Sequence, residues 1–169
     1  MRCILILLLL TGIECDAQTL VFEKDSSNAQ LPAMYAIPVS RGFINDREHV
    51  FNADEVRKLT RYMSQCGMDS TAVSVLTFSE LKPFKNLDEL ATGYANSWEL
   101  GFKNKNGILI TFSKTLKQSR VQVGEIYEPK FTPEVLKSID QLMIPEFVKG
   151  DYFTGTLNAL KKINKIIKL

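Results

Sequence analysis

The apolar positions of the chain follow two spacings, and each spacing predicts a different element. Val56, Leu59 and Met63 recur every three or four residues, the spacing of one face of an α-helix. Thr71–Phe78 is short and rich in β-branched residues, which is typical of a buried strand. Ile108–Phe112 has the same character. The pattern therefore predicts helices that alternate with buried strands.

Capping residues mark where two of the predicted helices begin. Asn52 is followed three residues later by Glu55, the reciprocal arrangement of a capping box. A helix is expected to start there and to stop at Gly67. Thr132 precedes Pro133, and proline is favoured at the first helical position, so another helix is expected to start at this pair.

Glycine and proline set the other predicted helix ends. The second helix is expected over Leu87–Leu100, with Gly101 as its stop. The third helix carries an inward apolar stripe that includes Leu142. Pro145 is expected to break this helix because proline lacks an amide hydrogen. A last helix is expected to open at Asp151.

The order of elements predicts the fold class. Strand–helix–strand connections favour parallel neighbours with right-handed crossovers, whereas the polar reversal between Phe112 and Val121 favours an antiparallel pair. Val121 and Val123 alternate with Arg120 and Gln122, so this strand is expected to be half-exposed at or near an edge. We predict one α/β domain, a three-layer sandwich. Its mixed, mostly parallel sheet of about four strands has helices on both faces.

The first residues predict export from the cytoplasm. Arg2 precedes the unbroken apolar run Ile4–Leu10, and small residues then stand at the positions that a signal peptidase reads. We expect cleavage after Ala17. The apolar run is too short for a spanning helix, which needs about 20 residues. A retained interfacial anchor and a lipid-modified Cys15 are the alternatives.

This interpretation divides the chain into a signal peptide (1–17), an extended lead-in (18–36) and a folded domain (37–169). The mature protein is expected in the periplasm or the medium, without a transmembrane helix. Only Cys66 survives cleavage, so no internal disulfide is predicted. The formal net charge is +2, and a nearly neutral chain does not suggest a nucleic-acid partner.

Residues that commonly carry catalysis are sparse. His49 is the only histidine, which disfavours a zinc site. Cys66 lies on the inward stripe of the first helix, so a buried structural thiol is favoured over a nucleophile. Lys103 and Lys105 lie in a loop between two glycines and are placed to attract an anion. An ordinary polar connection is the alternative.

Carboxylates are the remaining candidates, because four of them stand at predicted element boundaries. Ligands gather at the carboxyl ends of strands in α/β sheets, and oxygen-rich loops suit hard cations such as Ca²⁺ or Mg²⁺. Helix and turn capping explains each acid separately, so a cation site and ordinary capping stay open as alternatives. The four residues are Asp46, Glu125, Glu128 and Asp151.

From about Ile37 to its end, the chain resembles the TPM domain family. The matching stretches include FIND, which ends at Asp46, and the tract ELATGYANSWELGFKNKNGILITF. They continue with RVQVGEIYEPKFTPE and IPEFVKGDYFTGTLNAL. The resemblance implies a three-layer α/β domain displayed outside the cytoplasm. The residues that match the fold signature and its loop are Trp98, Gly101, Gly107, Gly124 and Pro145.

The same resemblance implies a candidate site. Family members are linked to membrane-complex maintenance, to divalent-cation binding and, in the plant branch, to phosphatase activity. Asp46, Asn106 and Glu128 match positions near the family's proposed loop site, which implies Ca²⁺ or Mg²⁺ as the ligand. Lys105 and Pro133 depart from the pattern, because the family commonly has an acid at each position.

We therefore expect an exported accessory or interaction module that binds a divalent cation weakly, with an envelope or membrane-complex protein as its partner. A metal-assisted phosphomonoesterase is the alternative, in which the acids hold the ion and lysines steer the phosphate. Docking to a membrane through the lysine-rich last helix is a third hypothesis.

Overall fold

A computed structural model describes residues 37–68, 72–101 and 103–168, so the predicted signal peptide and lead-in lie outside the described residues. The elements alternate in the predicted order. The strands are β1 (Ile44–Asp46), β2 (Val73–Thr77), β3 (Ile108–Ser113) and β4 (Gln118–Val123). The helices are α1 (Ala53–Gln65), α2 (Leu87–Ser97), α3 (Pro133–Val148) and α4 (Tyr152–Ile167), and a 3₁₀ turn spans Glu128–Lys130.

The four strands form one mixed sheet in the order β1-β2-β3-β4. The first three strands are parallel, and β4 pairs antiparallel with β3. Asp46 is level with Thr77, which is level with Phe112, so these three residues share one end of the sheet. β4 lies at the edge, which confirms the position predicted from its alternating pattern.

Helices cover both faces of the sheet, which confirms the three-layer prediction. On one face, α1, α3 and α4 bury Leu59, Ile139 and Leu160 against the strands. On the other face, α2 buries Leu90 and Tyr94. β2 and β3 are buried on both sides, as central strands of an α/β sheet should be. Apolar burial of this kind is the main stabilising contribution to the fold.

The predicted helix starts are confirmed by their hydrogen bonds. The Asn52 side chain accepts from the Glu55 amide at 3.0 Å, and the Glu55 carboxylate accepts from the Asn52 amide at 2.8 Å. Thr132 caps α3, and Asp151 caps α4 by accepting from the Thr154 amide at 2.9 Å. This bond lowers the pKa of the exposed Asp151 carboxyl. The local sequence therefore determines these boundaries.

The prediction that Gly101 stops the second helix was wrong. α2 ends at Ser97, and Glu99 takes the left-handed conformation that follows a helix end, with a φ of 52°. The Leu100 amide donates to the Ala95 carbonyl at 3.0 Å, the bond that closes a Schellman motif. Gly101 directly follows this motif and has another role, described below.

The prediction that Pro145 breaks the third helix was also wrong, because α3 continues through Pro145 to Val148. Proline leaves the Gln141 carbonyl without its helical donor. Both residues are exposed, so water can donate to that carbonyl. The helix ends instead at Val148, and Gly150, which follows the C-cap residue Lys149, takes a left-handed φ of 84°. No helix of the described residues is long and apolar enough to cross a membrane.

Candidate functional site

Asp46 ends β1, and its carboxylate organises the loop that follows. Oδ1 accepts from the Val50 amide at 3.1 Å and from the Thr77 hydroxyl at 2.7 Å. Oδ2 accepts from the Phe51 amide at 2.9 Å. Thr77 Oγ1 in turn accepts from the Arg47 amide at 2.7 Å. Both oxygens of Asp46 therefore stabilise the path of the chain between β1 and α1.

The Glu48 carboxylate stabilises the turn between β3 and β4 in a similar way. Its carboxylate accepts from the Lys114 amide at 2.6 Å, the Thr115 amide at 3.0 Å and the Ser113 hydroxyl at 3.2 Å. Sequence reasoning missed this residue, because its partners lie more than sixty positions along the chain. Burial, followed by the nearby charge of Glu48, raises the pKa of the Tyr152 hydroxyl. Glu48 therefore lies close to the start of α4.

At the opposite end of the sheet, three glycines allow segments of the backbone to pack closely. A Cβ on Gly101, whose φ is 66°, would overlap the Gly107 amide nitrogen. A Cβ on Gly107 would overlap the Leu100 carbonyl, and one on Gly124 would overlap the Lys105 carbonyl. Here the backbone of three segments approaches too closely for any side chain. The signature glycines are therefore explained by packing.

Trp98 supports this fold from the face covered by α2. Its ring meets Tyr94 edge-on, with centroids 5.2 Å apart. Its indole Nε1 donates to the Pro38 carbonyl at 2.8 Å, which ties the start of the domain to α2. Burial raises the pKa of Tyr94, an effect opposed by the Arg47 guanidinium that lies over its ring. Trp98 has a structural role in these contacts.

The structure does not bring the three candidate cation ligands together. Asp46 is level with Phe112, whereas Asn106 precedes Phe112 by six residues and so lies roughly 20 Å away along the strand direction. Glu128 follows β4 and lies at the same end as Asn106. Oxygens that share one Ca²⁺ lie within about 5 Å of each other, because each is about 2.4 Å from the ion. As a set, these three residues do not fit one cation.

Lys105 adds a positive charge to the loop before β3, at a position where the resemblance noted above implies an acid. Its ammonium pairs with the Glu125 carboxylate at 2.6 Å, and both side chains are mostly exposed. Lys105 has a φ of 53°, a conformation that favours Asn, Asp or Gly over lysine. Among the described residues, no group of three His, Cys, Asp or Glu side chains is arranged to hold a metal ion.

The thiol and the histidine do not form a catalytic pair in this arrangement. The Cys66 sulfur, which is half-buried, accepts from Asn164 Nδ2 of α4 at 3.4 Å. Burial, reinforced by Cys66, raises the pKa of the neighbouring Tyr62 to about 12. His49 is exposed in the loop after β1. The apolar face of the lysine-rich α4 is already packed in the core, which weakens the hypothesis of membrane docking.

Several open pockets mark the surface of the described residues. One of about 720 Å³ lies beside Arg47 and Tyr94, and one of about 680 Å³ lies beside Asp46 and His49. A third, of about 460 Å³, separates the β3–β4 turn from the corner between α3 and α4. Sequence reasoning missed its apolar wall. A signal was present, because Ile144 and Val148 are apolar, four residues apart and outside the inward stripe of α3.

Comparison with known proteins adds a family and two structural neighbours. The family model of the TPM domain matches residues 44–166. The N-terminal domain of a protein from P. gingivalis is 17% identical, with a TM-score of 0.64, over 73% of this chain and 80% of that one. The N-terminal domain of the cg2496 protein from Corynebacterium glutamicum is 10% identical, with a TM-score of 0.57, over 77% of this chain and 83% of that one. These two similarities concern the fold alone. No curated protein matches the chain.

Proposed function

This chain belongs to the TPM domain family, and we propose that it is a non-catalytic, exported accessory or interaction module. Its partner in this proposal is a protein of the cell envelope or of a membrane complex. The proposal rests on one observation: the acids at the carboxyl ends of the parallel strands, Asp46 and Glu48, are engaged in holding the chain's own loops. Membership of the family does not assign a reaction to the chain.

The acids at the carboxyl ends of the parallel strands accept hydrogen bonds from these loops. A general base or a metal ligand needs a lone pair directed at its substrate or ion. Asp46 and Glu48 instead accept six hydrogen bonds from neighbouring amides and hydroxyls. Removing Asp46 would leave two partly buried amides, those of Val50 and Phe51, without acceptors, which costs about 1–3 kcal/mol for each. The structural role of these acids supports the non-catalytic proposal.

Weak binding of Ca²⁺ or Mg²⁺ belongs to the same proposal, at the end of the sheet that holds Asn106 and Glu128. These two residues alone of the three candidates share one end. Two ligands are fewer than the six to eight oxygens that Ca²⁺ takes, so water would complete the shell. Lys105 adds a positive charge nearby, which lowers the affinity further.

The proposal is tested on the exported protein, whose first residue is expected to be Gln18. We expect no hydrolysis of an aryl phosphate above background with or without Ca²⁺ or Mg²⁺. Calorimetric titration should give a weak binding signal that Glu128→Gln reduces and Asp46→Asn leaves unchanged. Thermal unfolding of both variants verifies that they are folded.

The rival function predicts the opposite result. A metal-assisted phosphomonoesterase would show metal-dependent turnover of the aryl phosphate that Glu128→Gln abolishes. That outcome would refute the non-catalytic proposal. Turnover that survives the substitution would identify a contaminating phosphatase. A cation signal that disappears only with Asp46→Asn would move the binding site to the other end of the sheet.

A further inference from the structure

The groove between the β3–β4 turn and the α3–α4 corner has an aromatic floor. The rings of Phe112 and Phe147 lie 4.5 Å apart, and those of Phe147 and Tyr152 lie 5.1 Å apart. Phe112 is fully buried, whereas Phe147 and Tyr152 are half-buried and line the groove. A concave surface with an aromatic base is suited to receiving apolar side chains of a partner.

Two exposed apolar residues of α3 form the wall of this groove. Val148 is 82% exposed, and Ile144, one helical turn earlier, is 43% exposed. A single exposed apolar side chain needs no explanation. These two lie on the same side of α3 and border the same groove, so together they extend the apolar surface of its floor.

The groove opens onto the edge of the sheet. The Gly124 amide donates to the Gly107 carbonyl at 2.7 Å, so the hydrogen-bonded pairs of β3 and β4 fall on even-numbered residues of β4. The amides of Ser119, Val121 and Val123 therefore point away from β3. In the part of the chain that the structure describes, no strand lies beyond β4.

Side chains at this edge connect it to the groove. Val121 belongs to the core on the face that α1, α3 and α4 cover, so the odd-numbered residues of β4 face that side of the sheet. Ser119 lies on the same side and lines the groove. An added strand beside β4 would therefore direct every second side chain toward Ile144 and Val148.

The charge of the groove defines its occupant. Lys114, Lys117 and Lys149 line it, and no described Asp or Glu does. Lys149 pairs with Glu146, while the Lys114 and Lys117 side chains keep the rim basic. A second copy paired through this edge by a two-fold axis would bring two basic grooves together, which like-charge repulsion disfavours. An acidic segment complements the rim.

We propose that β4 and this groove bind an extended, acidic segment of a partner protein, which adds to the sheet as a fifth strand. The outward amides and carbonyls of β4 supply the main-chain hydrogen bonds. The aromatic floor and the α3 wall take its alternate apolar side chains, and the lysines pair with its carboxylates. This inference rests on the proposed function and specifies how the partner is recognised.

The experiment uses a library of short random peptides displayed on phage and selected against the exported protein. The selected sequences should be rich in acidic residues, with apolar residues at every second position. One selected peptide is then synthesised, and its affinity is measured by fluorescence anisotropy. Its binding should weaken as salt rises, because the rim charges are exposed.

Two substitutions test the edge and the wall separately. Val148→Glu should weaken binding about tenfold or more, because it places a like charge beside the peptide at the apolar wall. Leu142→Glu is the matched control. Leu142 was predicted to face inward, but it is a 43% exposed apolar residue of α3 that does not line the groove. Ser119→Pro removes one of the outward amides that would bond to the added strand, and an edge strand tolerates proline at such a position. Ser119→Ala is its control, because alanine keeps that amide.

The results separate this inference from the proposed function. Any one of four results would overturn the peptide-binding inference. The selection could enrich no peptide or enrich basic peptides, or Val148→Glu could bind with the same affinity as the parent. Self-association through β4, detected by sedimentation, is the fourth. Val148 is so exposed that its substitution should leave thermal unfolding unchanged, which keeps the test decisive if Ser119→Pro does not fold. Metal-dependent phosphate turnover would refute the non-catalytic function while leaving peptide binding intact.

Discussion

The two ends of the sheet solve the same structural problem by different chemistry. At the carboxyl ends of the parallel strands, Asp46 and Glu48 collect backbone amides and fix two loops. At the other end, Gly101, Gly107 and Gly124 allow segments of backbone to touch directly. One end depends on acceptors for its amides, and the other depends on the absence of side chains.

This difference changes how the residues shared with the family should be interpreted. An acid at a strand end resembles a ligand in the sequence, but Asp46 is engaged by the loop that it closes. A glycine in a loop resembles part of a binding site, but Gly107 is required by the nearby Leu100 carbonyl. Both kinds of signature residue are therefore explained by folding, and the proposed interaction surface lies elsewhere.

The largest expected effect is at the glycine end. Gly101→Ala must accept both a left-handed φ of 66° and an overlap with the Gly107 backbone. We expect a loss of at least about 3 kcal/mol in the free energy of unfolding, since the conformation alone costs about 1–2 kcal/mol and the overlap adds to it. Chemical denaturation of the purified variant measures the loss.

Gly150→Ala is the matched control for this substitution. Gly150 has a φ of 84°, but a Cβ there meets no atom within 4 Å. It should therefore lose only the conformational cost of about 1–2 kcal/mol. Equal losses for the two variants would show that the close packing at the glycine end contributes nothing to stability.

A smaller effect is expected at the acidic end. Asp46→Ala removes three hydrogen bonds and leaves the Val50 and Phe51 amides without acceptors, so the free energy of unfolding should fall by about 2–4 kcal/mol. Asp46→Asn keeps one acceptor oxygen and should lose roughly half as much. Glu128→Ala, at an exposed position, should stay within about 0.5 kcal/mol. A stable Asp46→Ala variant would return this acid to the list of candidate ligands.

The fold was predictable because its signals are local. The capping box at Asn52, the β-branched run before Phe78 and the alternation around Val121 each determine an element within about ten residues. The site was not predictable in the same way. Whether Asp46 and Asn106 meet depends on strand register, and the partners of Glu48 lie on another strand. Capping and ligation use the same acids, so only the hydrogen bonds distinguish the two roles.

The smallest stability effect and the sharpest functional one are expected at Lys105, between the two glycines Gly101 and Gly107. Lys105→Asp removes an exposed ion pair with Glu125, which is worth less than about 1 kcal/mol, and aspartate tolerates the left-handed φ of 53° better than lysine. Stability should therefore change little. The substitution replaces a cation with a carboxylate beside Asn106, so Ca²⁺ should bind more tightly in calorimetric titration. Lys105→Asn is the control that accepts the same φ without a charge, and it should show a smaller gain. If Lys105→Asp binds no more Ca²⁺ than the parent, the end of the sheet that holds Asn106 and Glu128 is not a cation site. The glycines there would then serve packing alone.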